Sequence, residues 1–210
     1  MPKVGMEPIR RKQITEAVLE IISSGGLDAV TIERVAEKAG VSKGVVIYYF
    51  HGKDELIVES YRAFLEYYKE CIAGCVDTGM TAWGLLEAIG DGVFGVFDEG
   101  ADSVNGQSPE KMARIFVHFY TLTLLNPGMR NIYEEYYKDY IGKTAMIVEM
   151  GIASGELRQT DPLVFAHGFI ALLDGLLLMR LLGYQTGGIS VKDIYIDYLR
   201  KSLLSEGVSK

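Results

Sequence analysis

The stretch Thr31–Phe50, TIERVAEKAGVSKGVVIYYF, constrains this 210-residue chain more than any other. Ile32, Val35 and Ala36 mark the inner face of a short helix that Thr31 caps. Gly40 stops it, and Ser42 caps a second helix running to about Phe50. Ala36 and Val41 are compact where the two helices would cross, and Val46 faces inward as part of a miniature core. Helix, tight turn, helix at this spacing is the layout of a helix-turn-helix, whose second helix enters the major groove of DNA. The same spacing also fits an ordinary helical hairpin, so flanking features have to separate the two readings.

Groove entry requires an exposed helix tip that carries hydrogen-bond donors. Ser42, Lys43 and Gly44 supply one. Lys43 is the candidate for a base edge, reaching guanine O6 or N7, with a phosphate contact as the competing role. Tyr48 and Tyr49 stand near the far end, where a phenol hydroxyl reaches phosphate and a ring touches thymine methyls. Thr31 has two candidate roles, helix cap and phosphate contact. A basic cluster, Arg10-Arg11-Lys12, opens the preceding helix. Lys53 opens the following one, whose free N–H groups make an anion site. The net charge of −7 argues against a polyanionic partner for the chain as a whole. However, residues 1–53 hold eight Lys or Arg against six Asp or Glu, and residues 54–210 hold 13 against 22. A slightly basic head on an acidic body fits a DNA-binding module joined to a part that does not touch DNA.

The rest of the chain reads as helices divided by glycine and proline. Ile14, Val18, Ile21 and Ile22 share one helix face before Gly25-Gly26. A long helix is predicted over 53–74, with Leu56, Ile57, Tyr61, Phe64, Leu65 and Tyr68 on its apolar side. A glycine-spotted helix follows over 81–98, where Gly84, Gly90, Gly92 and Gly95 each cost about 1 kcal/mol against alanine. Residues 99–109 read as a loop, and further helices cover 110–125 and 128–154. Asp161-Pro162 is the cap and first position of a helix reaching Leu182. Val191, Ile194, Tyr195, Tyr198 and Leu199 define a last amphipathic helix. No alternating run is bounded by hairpin signals, so the fold class is all-α.

Several functions find no support. Phe165–Leu182 is mostly apolar, but His167, Asp174 and Arg180 interrupt it, and charge at mid-bilayer is costly. It reads as a buried helix, and no membrane partner is expected. The two cysteines, Cys71 and Cys75, exclude a disulfide scaffold. Lying four apart on one helix without nearby His or Cys, they read as reduced thiols rather than metal ligands. His118 and His167 read as hydrogen-bonded core residues. No nucleophile–base pair, zinc motif or phosphate loop is visible, so neither catalysis nor a cofactor is expected. No charged-then-apolar leader precedes a small-residue cleavage site, which predicts a cytoplasmic protein.

From about Arg10 to Leu56 the chain resembles the TetR family of bacterial transcriptional repressors. The matching pieces are the helix before Gly25-Gly26, Thr31-Ile32, Val35-Ala36, Ala39-Gly40-Val41-Ser42, Gly44, Tyr48-Tyr49-Phe50, Lys53 and Leu56. Beyond them it resembles the BetI-like branch in Asn126-Pro127, in Gly151–Arg158 with Asp161 shortly after, and in Leu172-Leu173-Asp174-Gly175-Leu176. The resemblance implies a homodimer with an N-terminal three-helix helix-turn-helix domain, 1–52, and a C-terminal helical ligand-binding and dimerisation domain, 53–210. It implies Lys53 as a phosphate contact. It also implies that one of the pair Tyr48 and Tyr49 packs while the other, here assigned to Tyr49, meets phosphate. The DNA-facing set is therefore Thr31, Ser42, Lys43, Gly44, Tyr48, Tyr49 and Lys53. Pairing through the last two long helices would use Phe169, Leu173, Leu176, Leu177, Ile194 and Tyr198.

The ligand-domain aromatics read mostly as core packing. A cavity between helices still needs aromatic walls with few polar anchors, and Trp83, Phe116, Tyr120, Tyr133 and Tyr137 are the candidates. The effector would be a small aromatic, apolar or cationic molecule. Aromatics with a carboxylate suit a cation, and the BetI-like resemblance implies a quaternary amine such as choline. The implied mechanism is a repressor released from a palindromic operator, its two recognition helices matching grooves roughly 34–36 Å apart until effector binds. The competing classes are an all-α small-molecule-binding protein or enzyme without a regulatory role, and an architectural DNA-binding protein without a ligand cavity.

Overall fold

Caps and glycines fix where each helix begins and ends. The structure, a computed structural model, describes residues 6–98 and 108–204. Among them every regular element is helical: α1 Met6–Gly25, α2 Ile32–Lys38, α3 Lys43–Tyr49, α4 Lys53–Ala73, α5 Ala82–Gly95, α6 Pro109–Thr123, α7 Pro127–Ala153, α8 Pro162–Leu181 and α9 Val191–Leu203. The C-terminal ends fall within about two residues of those predicted, apart from that of α5 (Gly95 against 98), because the stop signals are local; α1, predicted to open at Arg10, begins four residues earlier at Met6. Thr31 and Ser42 accept from the N–H groups of Arg34 and Val45. Asp161 accepts from Leu163 and Val164, with Pro162 at the first helical position. A single 3₁₀ turn, Leu27–Ala29, was not foreseen after Gly25-Gly26. The loop expected over 99–109 lies outside the described residues except at its end, where Ser108 caps α6 and Pro109 begins it.

The chain divides into two compact units, Met1–Tyr68 with Glu99–Glu134, and Lys69–Asp98 with Glu135–Lys210. The core of the first unit comprises Ile14, Val18, Ile22, Val30, Val35, Val46, Phe50 and Leu56, all fully buried. The predicted apolar side of α4 is buried throughout, and its aromatics meet α6, with Phe64 and Phe119 ring centroids 5.6 Å apart. Burial pushes the Tyr61 phenol up to about 12, against its hydrogen bond to Thr123.

In the second unit α5, α8 and α9 pack together. Two glycines of α5, Gly90 and Gly92, acquire a reason in this unit. A methyl at Gly90 would sit 2.6 Å from the Tyr195 ring, and one at Gly92 would sit 2.9 Å from the Ile72 backbone. Helix propensity is given up so that helices can touch. Tyr195, fully buried, donates its hydroxyl hydrogen to Asp91, which also pairs with Lys192 at 2.7 Å. The charges that interrupt the apolar run on α8 are partnered. Asp174 accepts from the Tyr137 hydroxyl at 2.6 Å, and Arg180 meets Asp98 at 2.6 Å and the Phe97 carbonyl.

The six residues expected to pair two copies differ in exposure. Phe169, Leu173 and Leu177 are each at most 1% exposed, because they form the inner side of α8 against its own unit. Leu176, Ile194 and Tyr198 remain half-buried. The apolar residues left in solvent are Leu163, Val164 and Met179 of α8 and Leu182 just past its end, with His167, Gly168, Ala171 and Gly175 exposed between them.

Candidate DNA-reading surface and effector sites

The recognition surface is assembled from the buried side outward. Val46, Tyr49 and Phe50 turn inward from α3 and its end, so Lys43, Gly44, Ile47 and Tyr48 remain exposed on the opposite side. Helix α1 holds this arrangement. Gln13 donates to the Ala39 carbonyl at 2.7 Å and Arg11 to the Tyr49 carbonyl at 2.7 Å, closing the ends of α2 and α3. The Arg11 guanidinium lies 4.5 Å over the Phe50 ring and 3.7 Å from Glu59. Arg11 is thus spent on the fold, although the sequence grouped it with a basic cluster. Gly40 sits at φ 62°, the left-handed conformation the tight turn requires.

Ser42, Gly44, Tyr48 and Tyr49 line one concavity of about 570 Å³, together with Arg10 of α1. Thr31 and Lys53 lie outside it, each exposed at a helix start. Among the described residues Lys53 has no ion-pair partner, whereas the Lys43 ammonium is held 2.9 Å from Glu33. The Lys43 hydrogen bond in turn keeps the Glu33 carboxyl below the usual range. Of the two tyrosines, the one expected to face phosphate is the packed one. Tyr49 is the packed ring, 7% exposed, and Tyr48 is open to solvent at 66%. A helix face decides this: Tyr49 lies three residues from Val46, on the same side. Ile47, also exposed at 55%, was missed, since an isoleucine in a helix reads as core.

The five candidate wall aromatics are not brought together within either unit. Phe116, Tyr120 and Tyr133 belong to the first, where Phe116 packs between Tyr68 and Tyr120 with centroids 6.3 and 6.1 Å away. Trp83 and Tyr137 belong to the second. The second unit offers two other features. One is the Asp174 carboxylate at a tyrosine cluster. Tyr137 donates to it, Tyr136 lies edge-on to Tyr137 at 5.4 Å, and Tyr140 stacks on Tyr136 at 5.5 Å. Burial pushes the Asp174 carboxyl up to about 6, opposed by the Tyr137 hydrogen bond. The other is a cleft of about 450 Å³ between the end of α4, α5 and α7, whose lining includes none of the five. Cys71 and Cys75 are free thiols at the end of α4 and beyond it.

Comparison with known proteins matches residues 14–59 to the family model for bacterial regulatory proteins of the tetR family. The HTH-type transcriptional regulator BetI of Pseudomonas paraeruginosa is 30% identical over 214 residues, covering 98% of this chain and 99% of that one. BetI 1 of Chromohalobacter salexigens is 28% identical, covering 97% and 95%. Among solved structures, a TetR transcription regulator from Haloarcula marismortui superposes with a TM-score of 0.78 at 15% identity, covering 94% of this chain and all of that one. A protein from Saccharomonospora viridis in complex with choline superposes at 0.77 with 22% identity, covering 95% and 100%.

Proposed function

This chain belongs to the TetR family of bacterial regulatory proteins and is a DNA-binding transcriptional regulator rather than an enzyme; from that premise we propose how its residues divide the work. Residues 1–52 read the operator. Lys53 and Thr31 anchor phosphates, Lys43 leaves Glu33 to meet a base edge, and Tyr48 replaces Tyr49 as the phosphate-facing phenol. The observation that carries this reading is the two-sidedness of α3, with Val46 and Tyr49 packed inside and Lys43, Gly44 and Tyr48 presented outside. Residues 53–210 bind the effector and pair two copies through α8 and α9. The assembled protein acts in the cytoplasm.

The effector in this reading is a small organic cation, a quaternary amine such as choline. Asp174 supplies the charge in a partly desolvated setting, and Tyr137 fixes the carboxylate while aromatic faces attract the cation. The choline carried by the Saccharomonospora viridis protein supports the same chemistry. A cation that binds the two conformations of the protein unequally shifts their balance, and nothing else about it can. The test is a two-way titration with a duplex selected by the protein from random sequence. Choline should weaken duplex affinity about 5- to 150-fold, a coupling of about 1–3 kcal/mol, and the duplex must weaken choline affinity by the same factor. Asp174→Asn should abolish both effects. Equal choline affinity on and off DNA would refute effector control.

A further inference from the structure

Two residues of α3 have no account inside the protein. Gly44 sits in the right-handed helix, where glycine is the poorest residue apart from proline. A methyl there would meet nothing nearer than the Ser42 hydroxyl at 3.8 Å, so among the described residues no neighbour excludes a side chain. Ile47 is exposed, although Val46, Tyr49 and Phe50 are buried and Val45 is half-buried. Gly44 and Ile47 stand three residues apart on one face, and Lys43, four residues before Ile47, continues the row. Tyr48 lies to the side, in the concavity that it shares with Arg10 and that Ile47 does not line. A helix lying in the major groove accounts for both residues. Glycine lets the backbone come close to the bases, and that approach brings the next turn, at Ile47, toward the groove floor. An aliphatic side chain has nothing to offer a phosphate. The apolar group that base pairs present in the major groove is the thymine 5-methyl.

We propose that Ile47 determines one letter of the operator, packing its branched side chain on the 5-methyl of a thymine in each half-site. This contact rests on the reading of residues 1–52 as the operator-reading head, and adds to it a base readout made without hydrogen bonds. Lys43 and Ile47 are about 6 Å apart along the helix axis, less than two base-pair steps of about 3.4 Å. The thymine therefore lies within about two base pairs of the base that Lys43 meets. Losing the contact leaves the number of neutralised phosphates unchanged, so it costs affinity without altering the salt dependence.

The test uses the full chain and a duplex that it selects from random sequence, with each thymine replaced in turn by deoxyuridine. That change deletes one methyl and keeps every hydrogen-bonding group. At one thymine of each half-site the replacement should weaken binding about three- to fivefold, the worth of one buried methyl. Ile47→Ala should make thymine and deoxyuridine equal at that position, while its melting temperature and the slope of affinity against salt stay those of the parent. Tyr48→Ala should weaken binding but leave the deoxyuridine penalty in place. A parent indifferent to deoxyuridine at every position would overturn the proposal. So would a penalty that survives Ile47→Ala, or one that disappears in Tyr48→Ala, since the methyl would then belong to the tyrosine ring. In each of those cases the protein still binds its selected duplex, and the operator-reading head stands. A parent that enriches no duplex at all removes the head and this contact together.

Discussion

At the scale of single residues, Asp174 is where stability and function pull apart. Its carboxyl is pushed up to about 6 by burial, above the unfolded value of about 3.9. The folded state therefore holds that proton more tightly than the unfolded state. Its favourable contribution is present below about pH 4 and is lost as pH rises through about 6, so at neutral pH the ionised group opposes folding. Asp174→Asn, which can still accept from Tyr137, should raise unfolding free energy at pH 7 by about 1–3 kcal/mol and make no difference below pH 4. Urea melts at the two pH values decide this. Cation binding should run the other way, strengthening as pH rises through about 6. The tyrosine pair on α3 gives a second test. Tyr48→Ala should weaken operator binding and leave the melting temperature in place, whereas Tyr49→Ala should cost about 2–4 kcal/mol of stability as a buried aromatic lost. Denaturation beside DNA titration separates the two. Sequence placed both rings on the right helix, and it also held the signal that parts them: Val46 faces inward, and Tyr49 follows it by three residues on the same face, about 100° from Tyr48. Arg11 was illegible, because its partner is the carbonyl of Tyr49, 38 residues away.

At the scale of elements, the boundaries were legible because caps and stops act over three or four residues. Thr31, Ser42 and Asp161 each bond to a neighbour two or three positions on. What propensity could not supply was the reason α5 carries glycine at 90 and 92. For Gly90 that reason lies on α9, since a side chain there would collide with Tyr195, and Tyr195 is tied down by its hydrogen bond to Asp91; for Gly92 it is the backbone of Ile72 on α4. Gly90→Ala should accordingly destabilise the protein by about 1–3 kcal/mol through overpacking, although alanine gains about 1 kcal/mol in helix propensity. A guanidinium melt of that single variant checks the sign. A stabilised variant would mean that α9 moves away without cost. Gly84→Ala, whose methyl would meet nothing nearer than 3.6 Å, should show the propensity gain alone.

At the scale of the whole molecule, the question is how α8, broken only by His167, Asp174 and Arg180, can be apolar on nearly every side. Periodicity has no signal in such a helix, so the sequence could say that it needs covering but not which side its own chain covers. Burial answers that. Phe165, Phe169, Leu173 and Leu177 serve the unit's own core, and Val164, Ala171, Gly175, Met179 and Leu182 recur at intervals of three to seven along the exposed side. A second copy of this chain is the occupant that the family expectation supplies. A two-fold interface brings each residue near the axis against its own counterpart. Glutamate at Ala171 would then set two carboxylates face to face in an apolar seam, each costing several kcal/mol if unpaired. Ala171→Glu should therefore give a folded monomer in light scattering at micromolar concentration, with the parent chain a dimer. The monomer should also lose operator affinity, because two linked recognition helices bind a palindrome together and one alone does not. Leu177→Glu should unfold the chain instead, since its side chain belongs to the core. An Ala171→Glu protein that stays dimeric would place the pairing surface elsewhere, and a folded monomeric parent would remove the second copy from the account altogether.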